Sequence, residues 1–299
     1  MTDTALVKYE KPLHAPVQTT DGARALILAN KADLAIHIAN ASGIGIEELA
    51  SSAISAIVTA EPKAQAALLA CSGKSILKAV ADSARYGLII GTVMGQAYLV
   101  PFGKTCQLIV GYRGLEAMAY RSGKVRAIQS ATVYKGDVYD VQIGRQPDPI
   151  RHKPDTNADH GPENIAAAYA VAWMDERLAL AESMNREDLD HIRSKSKMGR
   201  AGAYVTDLGE MMRKAAVRRL CKHLPLSPSD RRMMDEALSA EDALDGTRVV
   251  AAEVVDEGEK RGDELLNSLG KPEPKAPADP DDFGPLARGA DDTESGADG

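Results

Sequence analysis

The spacing of apolar residues changes period twice along the chain, and these two changes restrict the fold more than any other feature. From Ala23 to about Val58 the pattern is helical and Ala-rich. Leu26, Ala29, Ile36 and Ile38 are consistent with one helix, Ser42-Gly43 and Gly45 interrupt it, and Glu47–Val58 resumes. Pro62 suits a first helical turn, and a short helix is expected over Ala64–Ala70. Ser72 or Ser75 is expected to cap the next helix, and Gly87 to end it. After Gly87 the texture changes to short apolar-rich runs, and alternation follows from Val125. Ala97–Val100 and Gln107–Val110 flank Pro-Phe-Gly-Lys-Thr as a hairpin would, and a helix is expected over Gly111–Ser122. Val125–Tyr134, Val138–Ile143 and Ile165–Met174 then read as strands, with Arg177–Met184 pairing with the last of them. The two would join at Asp175-Glu176, and a short strand is placed at Ile150–His152 in the Pro-rich loop Arg145–Gly161. Helical spacing returns at Asn185, the expected cap of a helix to about Ser196. Lys197–Ala203 follows as a loop. Thr206 or Asp207 should cap a helix to Leu224, stopped by Pro225, and Asp230–Ala243 should form another. Helices, hairpin, helix, several strands and helices again make an α+β fold with an antiparallel sheet, not an alternating parallel one.

Beyond Gly246 periodicity is lost, and Pro, Gly, Asp and Glu dominate from Gly270 onward. The expected organisation is a flexible N-terminus (1–22), a core domain (23–245) and an acidic disordered tail (246–299). Within the core, N-terminal helices (23–87) are followed by a hairpin-sheet region (88–184) and basic helices (185–245). The formal net charge of −7 conceals an asymmetry. Residues 241–299 carry −11, residues 1–240 carry +4, and Asn185–Arg232 alone carries +6. A basic body with an acidic tail is a pattern of nucleic-acid proteins, although the tail also reads as a solubilising appendage. With one Trp and two Phe in 299 residues, aliphatic side chains and Ala must form the core. Cys71, Cys106 and Cys221 stand far apart, which argues for a reducing compartment and against a zinc module. No signal-peptide core and no apolar run of membrane-spanning length are visible, so a cytoplasmic location is expected.

Catalytic constellations are weak. Gly73-Lys74-Ser75 supplies only the end of a phosphate loop, because Leu68 occupies the first Gly position. Gly111-Tyr112-Arg113-Gly114 lacks the third glycine and the parallel frame of a dinucleotide turn. His152, Asp155, Asp159 and His160 share one loop, and a metal nuclease using Asp155 and Asp159 is one alternative. A sequence-specific duplex-binding regulator is another, though no helix-turn-helix recognition helix is evident.

What remains is basic and aromatic. Lys214, Arg218 and Lys222 recur every four residues, and Arg213 and Arg219 flank them. These five cations have no carboxylate among them and repel one another unless something negative lies opposite. Upstream, Lys104, Arg113, Arg121, Lys124 and Arg126 alternate with Tyr98, Phe102, Tyr112 and Tyr120, a composition suited to single strands with exposed base faces. Tyr98 and Phe102 also read as filling a core poor in aromatics, and for Tyr98 that reading is preferred.

A longer string of motifs resembles the RecT family of phage recombinases. It runs through Pro62, Cys71, Ser75-Ile76-Leu77 and Tyr86-Gly87-Leu88 to Ala97-Tyr98-Leu99-Val100-Pro101-Phe102-Gly103. Gln107-Leu108-Ile109-Val110-Gly111-Tyr112-Arg113-Gly114, Arg121-Ser122-Gly123 and Ile150-Arg151-His152-Lys153-Pro154 continue it, with Ala168-Tyr169-Ala170. Glu210-Met211-Met212-Arg213-Lys214, Arg218-Arg219-Leu220 and Leu224-Pro225 complete it, over about residues 45–240. The chain departs at Gly202-Ala203-Tyr204, where the family often has Gly-Pro-Trp, and at Ala215, where it often has Thr. The resemblance implies annealing of complementary strands without ATP or another cofactor. It also implies a homo-oligomeric ring or helical filament carrying single-stranded DNA and the nascent duplex. A 5′→3′ exonuclease and the host single-strand-binding protein are the implied partners. Lys104, Arg113, Arg121, Arg126, Lys214, Arg218, Arg219 and Lys222 are the expected DNA contacts, and no catalytic or metal-binding residue is expected.

Overall fold

The computed structural model of the chain describes residues 12–38, 43–174, 177–195 and 203–245. The chain divides into two units, 1–249 and 250–299, and all described residues lie in the first. The joint at Asp175-Glu176, most of the Lys197–Ala203 loop and the acidic tail fall outside the described residues.

Five helices come first: α1 (Thr20–Ala29), α2 (Lys31–Ile38), α3 (Ile46–Val58), α4 (Pro62–Leu69) and α5 (Gly73–Tyr86). The single helix expected from Ala23 onward is broken at Asn30. There the Asn30 amide donates back to Leu26 O at 2.8 Å and ends α1 after Ala29. Thr19 caps α1 by accepting from Gly22 N at 3.0 Å, so the helix begins at Thr20, inside the stretch expected to be irregular. Pro62 does open α4, and Ser72 rather than Ser75 caps α5, accepting from Ser75 N at 3.3 Å. Ser75 turns inward instead, and its hydroxyl accepts from Cys106 N at 2.9 Å, tying α5 to the hairpin.

That hairpin is β1 (Ala97–Phe102) paired with β2 (Thr105–Val110), and α6 (Tyr112–Arg121) follows it directly. A three-stranded antiparallel sheet has the order β3 (Ala127–Tyr134), β6 (Ile165–Trp173), β7 (Ala179–Asn185). A two-stranded ribbon joins β4 (Val138–Val141) to β5 (Ile150–Lys153). The last helices are α7 (Arg186–Lys195), the single turn α8 (Ala203–Thr206), α9 (Leu208–Cys221) and α10 (Pro228–Asp245). The architecture is α+β with antiparallel sheets, as the change of period requires.

The central strand β6 explains the layering. Its side chains alternate between two faces. Ala168, Ala170 and Ala172 join the main core, and α9 packs on that face. A row of methyl groups lets the helix sit close to the sheet, which compensates for the shortage of aromatic side chains. On the opposite face Ala167, Tyr169 and Val171 form a second cluster with Val133 and Ala179, against which Tyr139 and Ile150 of the ribbon pack.

A buried polar clasp holds the ribbon there. His152 Nε2 lies 3.0 Å from Asp137 Oδ2 and its Nδ1 lies 3.3 Å from Tyr169 Oη, with the two side chains of the pair only 7% and 1% exposed. Burial opposes ionisation of Asp137. Donation from the backbone N–H groups of Tyr134 and Asp155, together with His152, outweighs it and holds the carboxyl below its ordinary range. Because the folded-state pKa is depressed, this contribution to stability is complete above the unfolded carboxylate pKa of about 4 and is lost as pH falls through the folded value. Asp137→Asn should therefore flatten the acid limb of a Tm-against-pH curve; an unchanged limb would remove the clasp from the account.

Gly87 ends α5 in a left-handed conformation (φ +59°), and Arg121 from the end of α6 covers it. The guanidinium donates to Gly87 O at 2.6 Å and also to Tyr86 O, satisfying carbonyls that a helix end leaves open. Arg121→Ala should cost roughly 2 kcal/mol, the scale of charged hydrogen bonds to buried carbonyls, and Arg121→Lys should recover part of it. Chemical denaturation reads both, and equal stability of the Ala variant would contradict the assignment.

Candidate nucleic-acid interface

Helix α9 crosses the three-stranded sheet. Near its start, Thr132 Oγ1 on β3 donates to Gly209 O at 3.0 Å; near its end, Arg219 Nε lies 3.1 Å from Glu182 Oε2 on β7. Leu208, Met212, Ala216, Val217 and Leu220 are buried beneath it. Neither Thr206 nor Asp207 caps α9 with its side chain: the Thr206 hydroxyl donates to Asp207 Oδ2 at 2.7 Å, and Asp207 makes no side-chain cap bond. The helix ends at Cys221, three residues before the expected Leu224. Arg231 of α10 closes that end, donating to Cys221 O at 3.0 Å and to Leu224 O.

The α9 cations are not equivalent. Arg213 turns toward α6, where its Nη2 donates to Tyr112 Oη at 2.7 Å and its Cζ stands 5.3 Å from the Tyr112 ring centroid. It also pairs with Glu210. Arg218 turns toward α10 and donates to Leu238 O at 3.1 Å. Arg219 is exposed beside Glu182, and His223 Nε2 lies 3.7 Å from the other oxygen of the same carboxylate. Lys214 is half-buried and Lys222 exposed. The negative charge that five neighbouring cations call for is thus supplied in part from within the protein: by Glu210, at i,i+3 spacing from Arg213 on α9, and by Glu182 on β7, which spacing along α9 does not reveal.

The structure unites two features that lie a hundred residues apart. Tyr112 and Arg113 open α6, and Tyr112 meets Arg213 of α9. Glu116, one turn further along α6, feels both Arg113 and Arg213; burial raises its pKa and the two guanidiniums pull it back. Arg113 itself points into solvent, beside Tyr112 and Tyr98. Gly111 and Gly114 let the start of α6 lie directly against Gly95 and Gln96 at the root of the hairpin. A Cβ on Gly111 would overlap Gly95 O, and one on Gly114 would overlap Gln96 O and stand 2.8 Å from Val110 Cγ1.

The other expected contacts are dispersed. Lys104 is exposed at the tip of the β1–β2 hairpin, about 20 Å along the strand from the start of α6. There its carbonyl accepts from Ser72 N at 3.0 Å. Arg126 is exposed just before β3, and Lys124 lies near it in the same connection. Arg121 spends its donors on the end of α5, as described.

The loop residues weighed for metal binding do not converge. His152 faces Asp137, His160 stacks on Tyr134 at 4.5 Å, and Asp155 and Asp159 each accept a backbone N–H two residues ahead. Among the described residues no group of three His, Cys, Asp or Glu side chains is placed to hold a metal ion. Nor is any described helix long and apolar enough to cross a membrane.

The fold and this surface define an α+β protein that lays an arginine- and lysine-bearing helix across an antiparallel sheet and brackets it with a tyrosine-arginine pair. The chain belongs to the RecT family, whose model matches residues 48–256. It is 36% identical over 179 residues to "Protein RecT" of Escherichia coli (strain K12), an alignment covering 57% of this chain and 65% of that relative's length.

Proposed function

We propose that the chain is an ATP-independent single-strand annealing protein of phage-type recombination, acting in the cytoplasm of a bacterial host. Membership of the RecT family supports this reading, and the observation that carries it is the convergence of Arg113 of α6 and Arg213 of α9 around Tyr112 and Glu116. We assign phosphate contacts to Arg113, Lys214, Arg219 and Lys222. Lys104 and Arg126 extend the track, and Arg121 and Arg218 support the surface by holding carbonyls. Glu182 holds Arg219 until a phosphate displaces it.

Cations that neutralise the phosphates of two strands remove their mutual repulsion. Contacts confined to the backbone leave base edges free to pair, so sequence preference is weak and affinity falls steeply with salt. The N-terminal helices serve contacts between protomers in a ring or filament. The acidic tail competes for the cations or recruits an exonuclease and the host single-strand-binding protein. Mixing complementary oligonucleotides with the protein, without nucleotide or metal, should speed duplex formation. No acceleration, or DNA cleavage when Mg²⁺ is added, would overturn the proposal.

A further inference from the structure

Between α5 and β1 the chain makes a closed five-residue turn that no part of the phosphate track uses. Gly91 N donates to Ala97 O at 2.9 Å, and Gly95 N donates back to Gly91 O at 3.3 Å, so both ends of the turn are pinned. Gly91 and Gly95 adopt φ of +138° and +65°, which side-chain-bearing residues rarely do. The turn holds Thr92-Val93-Met94 outward, with Val93 91% and Met94 47% exposed. A lone exposed aliphatic residue is ordinary. Here two adjacent ones crown a hydrogen-bonded turn at the rim of a cavity of about 430 Å³, which they line together with residues of α3 and α4.

What stands beside this tip indicates what it meets. A Cβ placed on Gly95 would lie 3.2 Å from Tyr98 Oη and 3.3 Å from Arg113 Cδ, so the Arg113 side chain runs across the foot of the turn. A solvent-facing guanidinium suited to phosphate therefore adjoins an apolar point suited to a base face. We infer that Val93 and Met94 form a wedge that inserts between neighbouring bases of a strand held through Arg113. Aliphatic side chains can enter a base step and part the stack, and they present nothing that reads a base edge. Such a wedge breaks a strand into short stacks, opposes folding of the strand on itself and leaves its pairing edges free. The inference rests on the single-strand-binding reading and adds the base contact that reading lacks.

The test uses the full-length protein with an oligonucleotide carrying 2-aminopurine, whose fluorescence rises when it is unstacked. Wild-type protein at saturation should raise the signal. Val93→Ser with Met94→Ser should lose most of that rise and bind about five- to tenfold more weakly, the low end for removal of a base platform. Its salt dependence should stay unchanged. Arg113→Ala should behave oppositely, with a shallower salt dependence and the full rise once saturated. A double Ser variant that binds normally and still gives the full rise would overturn the wedge and leave strand binding intact. A double Ser variant that, without DNA, sediments as a smaller species than wild type would also overturn it, because the tip would then be a contact between copies. Absence of single-strand binding by the wild-type protein would instead sink the reading beneath it.

Discussion

Reversing Arg113 and Lys222 together to Glu is expected to lower affinity for a single-stranded oligonucleotide by about 100-fold near 0.1 M salt, and to slow annealing accordingly. Each phosphate contact contributes about 0.7 to the slope of log K against log salt for single strands. Two lost contacts therefore remove about 1.4 from the slope and roughly 25-fold in affinity at that salt, and the introduced carboxylates add repulsion. Both side chains are exposed, and a reversed charge at the C-terminal end of α9 adds a structural cost of about 0.3–1 kcal/mol. Fluorescence anisotropy across a salt series, with Tm measured in parallel, separates the two effects. Affinity within threefold of wild type, or an unchanged slope, would detach α6 and α9 from the strand.

The second large effect is on the scaffold. Gly114→Ala should destabilise the domain by about 3 kcal/mol or more, because the new methyl would overlap the Gln96 carbonyl oxygen and crowd Val110. For a domain of this size that is a fall in Tm of about 6–12 °C. A flexible side-chain end would swing aside cheaply; a backbone carbonyl at the base of a hairpin cannot. The register places Gln96 just before Ala97, which pairs with Val110, so moving it would strain the hairpin at its root. A Tm within 2 °C of wild type would show that α6 can withdraw, and the close approach that brings Arg113 beside the Val93–Met94 turn would lose its basis.

The parts of this architecture that were legible in the sequence are those decided within a few residues. Pro62, Ser72, Gly87 and Asn185 mark their helix ends because a cap is a contact between near neighbours; Asn185 Oδ1, for example, accepts from Asp188 N at 2.8 Å. The pairing of β6 with β7 follows from alternation on either side of a short connection. The break at Asn30 was less visible, because the Ala-rich pattern runs through it and only the Asn amide turning back to Leu26 O separates two helices. Helix α9 ends three residues before Leu224 because the group that closes it, Arg231, belongs to the next helix and is not signalled along α9.

The candidate surface divides the same way. Regular spacing puts Lys214, Arg218 and Lys222 along one helix, but nothing along α9 reveals that Leu238 O will take Arg218 and that Glu182 will face Arg219. From Tyr98 to Arg126 the interleaved cations look alike as letters; folded, Arg113 stands in solvent, Arg121 clasps the end of α5, and Lys104 sits at the far hairpin tip. The sequence alone determined the order of helices and strands, the charge of α9 and the motifs of the family, because periodicity, caps and composition are local properties. Which cation faces solvent, and that Arg121 meets Gly87 O, Arg213 the Tyr112 ring, Arg218 Leu238 O and Arg219 Glu182, was decided only by tertiary structure, since those contacts join residues brought together by packing across tens to a hundred positions of chain.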